Sequence, residues 1–334
     1  MSKSFRIIDT GVREGRANIA FDAALIEERQ AGRVPDTIRF MRFPPTALIG
    51  RHQDLSREVN LDYCRDKAVG IVRRITGGGA IYLDEGQLGW ELVFHRASLG
   101  IPALPDLARE ICNAAAAGLN KLGIDARFRP RNDIEVDGRK ISGTGGFFDG
   151  DTLFFQGTVL VDMDPRTMVS ALRVPRAKLA KHELDSAEQR VVTLRELLGE
   201  NTPGLAEIQA ALVAAFCEHL GLAPAPGTIS AAERREAEIL HREEIGTEAF
   251  VTGIEEPPRA RGDLAGERVC PGGTVRSYLR LEGPAQNRIR GALITGDFFV
   301  TPPRVIFDLE AALAGTRIED VDATISAFFE NADI

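Results

Sequence analysis

Val72 to Trp90 reads VRRITGGGAIYLDEGQLGW. Arginines at 73 and 74 precede three consecutive glycines at 77, 78 and 79, and a short apolar run then enters an acidic, glycine-containing turn. Two guanidiniums supply about ten N–H donors for phosphate or carboxylate oxygens. Glycines carry no Cβ, so a ligand can lie directly against their backbone. The stretch therefore reads as an anion site with a flat wall. A triple glycine is a weak motif by itself, and the flanking chain has to supply the rest of the chemistry.

On either side of this stretch the pattern is that of strands: Ala68 to Arg74 delivers the motif and Leu88 to His95 (LGWELVFH) returns from it. Further out, Phe5 to Asp9 suits a strand, Asn18 to Gln30 an amphipathic helix, and Thr37 to Phe43 a half-buried strand closed by Pro44-Pro45. Ala47 to Ile49 is a second short apolar run, and the spacing of Leu107, Ile111, Ala114, Ala115 and Leu119 predicts a helix over Pro105 to Leu122. Two hairpins follow, turning at Asp137-Gly138 and Asp149-Gly150. Lys140 then sits just past a tight turn, on a strand that faces either core or cleft.

Beyond the hairpins, helical patterns cover Met168 to Leu172, Thr193 to Leu198, Gly204 to Leu220 and Ser230 to Glu244, the last opened by a Ser230 N-cap with Glu233 three residues on. Ala223 to Gly227 (APAPG) reads as a punctuated loop. Ile245 to Gly262 has linker composition, and past it strand-like runs at Gly273 to Glu282 and Asn287 to Phe299 precede short helices at Val305 to Leu313 and Ile318 to Phe329. The expectation is two domains, a large one over 1–250 and a small α+β unit over 260–334.

Composition narrows the function. The chain has 334 residues and a formal net charge of −8, which argues against nucleic-acid binding through a general basic surface. Cys64, Cys112, Cys217 and Cys270 lie far apart, and the five histidines show no metal-ligand spacing, so neither a zinc site nor a disulfide framework is expected. Neither a signal peptide nor a long apolar run is visible, and the expected setting is cytoplasmic, without a membrane partner. SGTGGFF carries glycines at 143, 145 and 146 without completing a dinucleotide fingerprint, and GxxxxGK[ST], G-x-S-x-G and H-E-x-x-H are absent.

Arg73-Arg74-Ile75-Thr76-Gly77-Gly78-Gly79-Ala80 with Asp84 and Gly86 resembles the signature loop of the lipoate-protein ligases, within the biotin/lipoate protein ligase superfamily, and GRKISG (Gly138 to Gly143) resembles their catalytic-lysine segment. Asn132-Asp133, Gly157-Thr158, Asp162, Pro175, Lys178 and Arg190-Val191 extend the agreement, and Gly296-Asp297-Phe298-Phe299 is similar to the family's small C-terminal domain. The resemblance implies an α+β fold, with a large mixed-sheet catalytic domain and a small C-terminal α+β domain, and a two-step acylation. ATP and lipoate, or octanoate, give an acyl-AMP and pyrophosphate; an acceptor lysine then takes the acyl group as an amide. It implies Lys140 as the catalytic residue, an ATP and acyl-adenylate site at Arg73, Arg74, Gly77, Gly78, Gly79, Ala80, Ile81, Asn132, Asp133, Thr158 and Lys178, and Mg2+ with Asp133 as a metal ligand. Of the two arginines, one is expected to face the nucleotide, because neighbours on a strand alternate. Arg173 to Lys181 is similar to the family's adenylate-covering loop. Implied acceptors are lipoyl-domain proteins, such as the glycine-cleavage H protein or a 2-oxoacid dehydrogenase E2, and the expected state is a monomer whose small domain moves between the half-reactions.

The chain also departs from the family. Leu83 stands where His is usual, Gln87-Leu88-Gly89 replaces a run such as Asn-Leu-Asn, and Thr144-Gly145-Gly146-Phe147 follows the lysine segment. These changes leave the expected adenylating parts intact and bear on the acyl-chain pocket and the acceptor. The alternatives are an octanoyl or lipoyl transferase working from a carrier thioester and a non-catalytic lipoate or adenylate sensor. A transferase needs a thiolate beside the lysine, and the stretch before Asn132, where one related class places its cysteine, reads RFRPR. A biotin ligase's arginine-glycine loop is absent.

Overall fold

The computed structural model of the protein describes residues 3–130, 132–173, 189–258 and 262–332. In chain order it forms β1 (Lys3–Val12), α1 (Gly15–Gln30), β2 (Thr37–Arg42), β3 (Thr46–Ile49), α2 (Leu55–Glu58), α3 (Leu61–Asp66), β4 (Gly70–Arg73), β5 (Ile81–Leu83), β6 (Gln87–His95), α4 (Arg96–Leu99) and α5 (Leu104–Asn120). There follow β7 (Arg127–Arg129), β8 (Asp133–Val136), β9 (Arg139–Asp149), β10 (Thr152–Leu160), α6 (Pro165–Ala171), α7 (Leu194–Leu198), α8 (Leu205–Leu220), β11 (Leu222–Pro226), α9 (Ala231–Glu243) and α10 (Glu248–Thr252). The C-terminal part adds β12 (Leu264–Cys270), β13 (Gly273–Glu282), β14 (Arg288–Gly296), α11 (Val305–Leu313) and α12 (Val321–Asn331).

An eight-stranded mixed sheet of order β11-β1-β2-β6-β10-β9-β8-β7 spans the larger part. β1 runs parallel to both its neighbours, and every pairing from β2 onward is antiparallel. On one face α5 and α8 cover a core that includes Trp90, Phe94, Phe155, Ile111, Leu212 and Phe216. On the other face α1 and α9 pack over Phe21, Leu25, Phe154 and Leu240. The capping box of Ser230 and Glu233 opens α9 as its sequence predicts. A second sheet, β4-β3-β5, is shielded by α3 and α6.

The APAPG stretch differs from its expected loop, since residues 222–226 pair in parallel with β1. β11 is an edge strand. Proline cannot donate to a ladder, so an edge position tolerates it. β12 also goes beyond the sequence reading: its residues are almost all exposed, and no alternating pattern marks it.

Beneath the α1 face lies a buried charge cluster. Arg39 donates to Asp22 Oδ1 at 2.5 Å, Glu91 Oε1 at 3.1 Å and Asn18 Oδ1 at 2.6 Å. Burial pushes the Glu91 carboxyl well above the ordinary range, with Asp22 adding to the shift. One cation facing two buried carboxylates is balanced when Glu91 holds its proton.

β12, β13 and β14 form a three-stranded antiparallel sheet with α11 and α12 packed against it over Ile289, Leu309 and Leu313. This unit meets the larger part through two backbone hydrogen bonds, Gly296 N–H to the His52 carbonyl and Gly78 N–H to the Phe298 carbonyl, each at 3.0 Å. Arg57 adds contacts to Glu256 and, at 3.3 Å, to the Tyr278 hydroxyl. No described helix is long and apolar enough to cross a membrane.

Candidate active site

A cavity of about 330 Å³ opens between the α1 face of the large sheet and the small β4-β3-β5 sheet. Strand register lays out its floor. Met41 on β2 is paired with Gly89 on β6, Gly89 with Thr158 on β10, and Gly143 on β9 with Asp133 on β8, while the Gly143 N–H lies 3.5 Å from the Thr158 hydroxyl. One row of residues thus runs from an apolar end at Met41 to a charged end at Asp133.

Lys140 reaches that charged end by a local irregularity. Asp137 and Gly138 both have positive φ, 50° and 76°, the geometry of a tight hairpin turn matched to strand twist. Between Ile134 and Glu135 the β8–β9 register shifts, leaving Ile141 as an extra residue. Such a bulge re-aims the neighbouring side chain. Lys140 is then held by its backbone, its N–H donating to the Arg190 carbonyl at 2.8 Å and its carbonyl accepting from Val192 at 2.9 Å. Its ammonium lies 2.8 Å from Asp133 Oδ1. A Cβ on Gly143 would come within 2.6 Å of Lys140 Nζ, so the glycine clears the path of the lysine stem.

Asp133 Oδ2 accepts from Arg129 at 2.5 Å. Burial alone would raise the Asp133 carboxyl, but Lys140 and Arg129 outweigh it and hold it below the ordinary value. With both oxygens facing cations, Asp133 does not fit the expected metal role in this form, and no cluster of three or more His, Cys, Asp or Glu among the described residues could hold a metal. Asn132 Nδ2 donates to the Thr144 carbonyl, and the Thr144 N–H and hydroxyl both donate to the Asn132 carbonyl. This clamp fixes the corner from which Asp133 departs.

The two arginines of the opening motif part company. Arg74 lines the cavity. Its guanidinium donates to the Leu48, Gly77 and Gly79 carbonyls at 3.0, 3.1 and 2.9 Å and so shapes the glycine loop. Arg73 is fully enclosed and turned to the carbonyls of Gly50, Arg51, Gln53, Phe250 and Val251. Arg73 thus ties β4 to α10 in this form and is not among the cavity-lining residues; of the two arginines, one of which is expected to face the nucleotide, Arg74 is the one at the cavity. Neither arginine makes an ion pair with a described residue. Burial lowers Arg73 to about 9 and Arg74 to about 10, and Arg51 adds to the strain on Arg73. Their donors are met by backbone carbonyls, while the positive charge itself has no ion-pair partner among the described residues.

Of the other expected site residues, Gly77, Gly78, Gly79, Ala80, Ile81, Asn132 and Thr158 all line the cavity, as does Lys140. Lys178, Pro175 and most of the expected covering loop lie outside the described residues. Residues the sequence reading missed are Met41, Gln156, Met163, Met168 and, from the C-terminal unit, Phe299. Gln156 Nε2 donates to the Thr76 hydroxyl at 2.8 Å. Strand alternation alone could have placed Gln156, Thr158 and Leu160 on one face, whereas nothing local marks Phe299.

Phe299 closes one side of the cavity. Its ring lies 2.6 Å from where a Cβ would stand on Gly78 and equally close to that of Gly145. Nearby, the His52 ring stacks on Phe298 with centroids 5.4 Å apart at 18° and tilts against Phe307 at 5.4 Å. Arg51 lies between the Phe250 and Phe307 rings, 4.7 and 4.8 Å from their centroids. Burial, with Arg51 and Arg73 close by, lowers the His52 imidazole from 6.5 to about 4, and only the Pro303 backbone pulls the other way.

A depressed base contributes stability that is complete above its unfolded value and is lost as pH falls through the folded one. The window here runs from about 6.5 down to about 4, and its full extent corresponds to roughly 3 kcal/mol. Thermal stability is therefore expected to fall more steeply in wild type than in His52→Phe between pH 7 and pH 4.5, with the C-terminal unit released first. Parallel curves for the two proteins would contradict this.

The cavity thus joins an apolar end at Met41 to a polar end at Lys140, with the glycine loop along its border. The chain belongs to the lipoyl protein ligase A/B catalytic domain family, whose model matches residues 14–217. It is 30% identical over 263 residues to octanoyltransferase LipM of Kyrpidia tusciae, an alignment covering 71% of this chain and 95% of that one. It is 33% identical over 156 residues to lipoate-protein ligase LplJ of Bacillus subtilis, covering 47% and 46% of the two chains. Among solved structures, the bipartite lipoate protein ligase of Thermoplasma acidophilum, studied with its E2 lipoyl domain, superposes with a TM-score of 0.69 at 26% identity, covering 77% of this chain and 100% of that one. The protein is thus an enzyme of the lipoate and octanoate ligase or transferase family.

Proposed function

We propose that the protein is an ATP-dependent lipoate-protein ligase, with residues 1–250 as its adenylating domain and 260–334 as an accessory domain. The observation that carries this reading is a cavity with a lysine ammonium at its polar end and, among the described residues, no thiol in its lining. In the first step a carboxylate oxygen of the acid attacks the α-phosphorus of ATP, and pyrophosphate leaves. Both reactants are anions, so fixed positive charge must stand where they meet. Lys140 supplies it at the oxygen shared between carboxyl and phosphate, exchanging Asp133 for the substrate. Arg74 keeps the glycine carbonyls turned towards itself and adds positive potential. In the second step the ε-amine of a lysine on a lipoyl domain attacks the acyl carbon, AMP leaves and the amine loses a proton. The pairing of the Thermoplasma ligase with an E2 lipoyl domain supports an acceptor of that kind. Any Mg2+ arrives with ATP as part of the substrate, and the chain's own residues carry the steps described.

The similarity to LipM favours a second reading, octanoyl transfer through a cysteine. Cys112 lies behind the polar end, its Sγ 3.3 Å from the Thr144 hydroxyl. It is fully buried, and burial pushes its thiol up to about 11, a poor nucleophile at neutral pH. The test is lipoate-dependent exchange of labelled pyrophosphate into ATP, in wild type and in a variant with all four cysteines replaced by serine or alanine. A ligase shows exchange in both. Absence of exchange in wild type, together with loss of octanoyl transfer in a folded Cys112→Ser variant, would establish the transferase instead.

A further inference from the structure

The C-terminal sheet has two faces. Leu279 and Leu281 on β13, with Ile289 and Ala292 on β14, turn to the core beneath α11 and α12. The other face carries Tyr278, paired with Leu293, and Arg280, paired with Gly291. The chain that joins the two parts of the molecule passes over this face at Glu255 and Pro257, and between chain and sheet lies a second cavity of about 350 Å³. It shares no lining residue with the cavity at Lys140.

A local irregularity builds its floor. The β13–β14 register shifts after Arg280, so that Gly291 stands opposite Arg280 and Ile289 opposite Leu281, with Arg290 left as the bulged residue. A bulge re-aims the side chain it carries, and here Arg280 and Arg290 both line the cavity beside Gly291. A Cβ on Gly291 would meet nothing within 4 Å, so the space over its backbone is open. Neither arginine has a hydrogen-bond or ion-pair partner among the described residues, whereas Arg276 on the same strand is paired with Glu267. Two guanidiniums brought to one pocket repel each other, and one anion held by both forks relieves that cost. Leu264 and Leu293 supply apolar wall, and Glu255 stands on the side of the joining chain. A concave, largely apolar lining with a few charged groups is the make-up of a small-molecule site.

We propose that this cavity binds a small zwitterionic phosphate ester. Its phosphate sits over Gly291 between Arg280 and Arg290, its apolar body lies against Leu264 and Leu293, and its ammonium faces Glu255. The ligand bridges the joining chain and the C-terminal sheet. Glu256, the next residue, is already tied to Arg57, which also meets the Tyr278 hydroxyl at 3.3 Å. A bound ligand therefore fastens the same joint and restrains the C-terminal unit. The site does not depend on the ligase reading.

Tyramine phosphate is the probe, measured by titration calorimetry on the full chain, with phenyl phosphate and inorganic phosphate as comparators. Tyramine phosphate should bind at one site, phenyl phosphate several-fold more weakly, and inorganic phosphate more weakly still. Affinity should fall about tenfold or more when Arg280→Gln and Arg290→Gln are combined. Gly291→Leu fills the space without changing charge and should do the same, while Lys140→Ala should bind as wild type does. Cleavage after Glu255 by a glutamate-specific protease should slow several-fold with tyramine phosphate in wild type and not in the double arginine variant. No binding to wild type, undiminished affinity in the double arginine variant, or loss of binding in Lys140→Ala would overturn the site. Equal affinity for inorganic phosphate would overturn the ester, and unprotected cleavage in wild type would overturn the restraint.

Discussion

Lys140→Ala is expected to abolish lipoate-dependent pyrophosphate exchange without unfolding the protein. Removing one preorganised positive group from an anionic transition state costs about 10²–10³ in rate. The loss should be larger here, because the two buried arginines spend their donors on backbone carbonyls and cannot take over. The fold is insulated from the change. The lysine side chain is 34% exposed, its backbone hydrogen bonds to Arg190 and Val192 do not involve the side chain, and Asp133 keeps Arg129 as a partner. Lys140→Arg should not rescue activity, since a planar fork cannot follow the stem's path across Gly143 to a single shared oxygen. Exchange at wild-type rate in Lys140→Ala would refute the assignment of the catalytic group.

Gly78→Ala is expected to have the second largest effect, for two separable reasons. Gly78 has φ of +89°, and its missing Cβ leaves the space that the Phe299 ring occupies at 2.6 Å. The left-handed conformation costs an alanine about 1–2 kcal/mol. The ring clash adds to this and should push the C-terminal unit off the loop, breaking the hydrogen bond from Gly78 N–H to the Phe298 carbonyl. Activity should fall at least tenfold, and proteolysis within 255–262 should accelerate. Gly78→Ala combined with Phe299→Ala removes the clash and leaves the conformational cost, so proteolysis should return towards wild type while activity stays low. Equal susceptibility in all of these proteins would mean that Phe299 does not hold the unit in place.

The same contact has a consequence for the reaction cycle. Gly78 N–H is the sort of donor that a phosphate would use, and here it is given to Phe298. On the ligase reading proposed above, a nucleotide bound against Gly78 would compete with the docked Phe298-Phe299 segment for one surface, and adenylation would then be coupled to release of that segment. Its interface is suited to release, being built from a few backbone hydrogen bonds, ring contacts and the Arg57 interactions rather than a continuous apolar core.

Much of the molecule is legible in the order of its residues. The Asp137-Gly138 turn, the helical spacing of α5, the capping box at Ser230 and the pairing of a glycine loop with a lysine segment are local patterns, because turn geometry, helix periodicity and capping act within a few residues. The glycines at 77 to 79 and Lys140 line one cavity, as the pairing of the two motifs implies. Three things were decided only by the tertiary structure. Strand alternation said that one of Arg73 and Arg74 faces the ligand, but which one depends on where β4 stands against α10, a contact between residues about 180 positions apart in sequence. APAPG became a strand because β1 offered it an edge. Met41, Met163, Met168 and Phe299 entered one cavity because register, helix packing and docking of a distant unit bring them there. Hydrophobic patterning records that a side chain is buried; only the assembled chain determines what it is buried against.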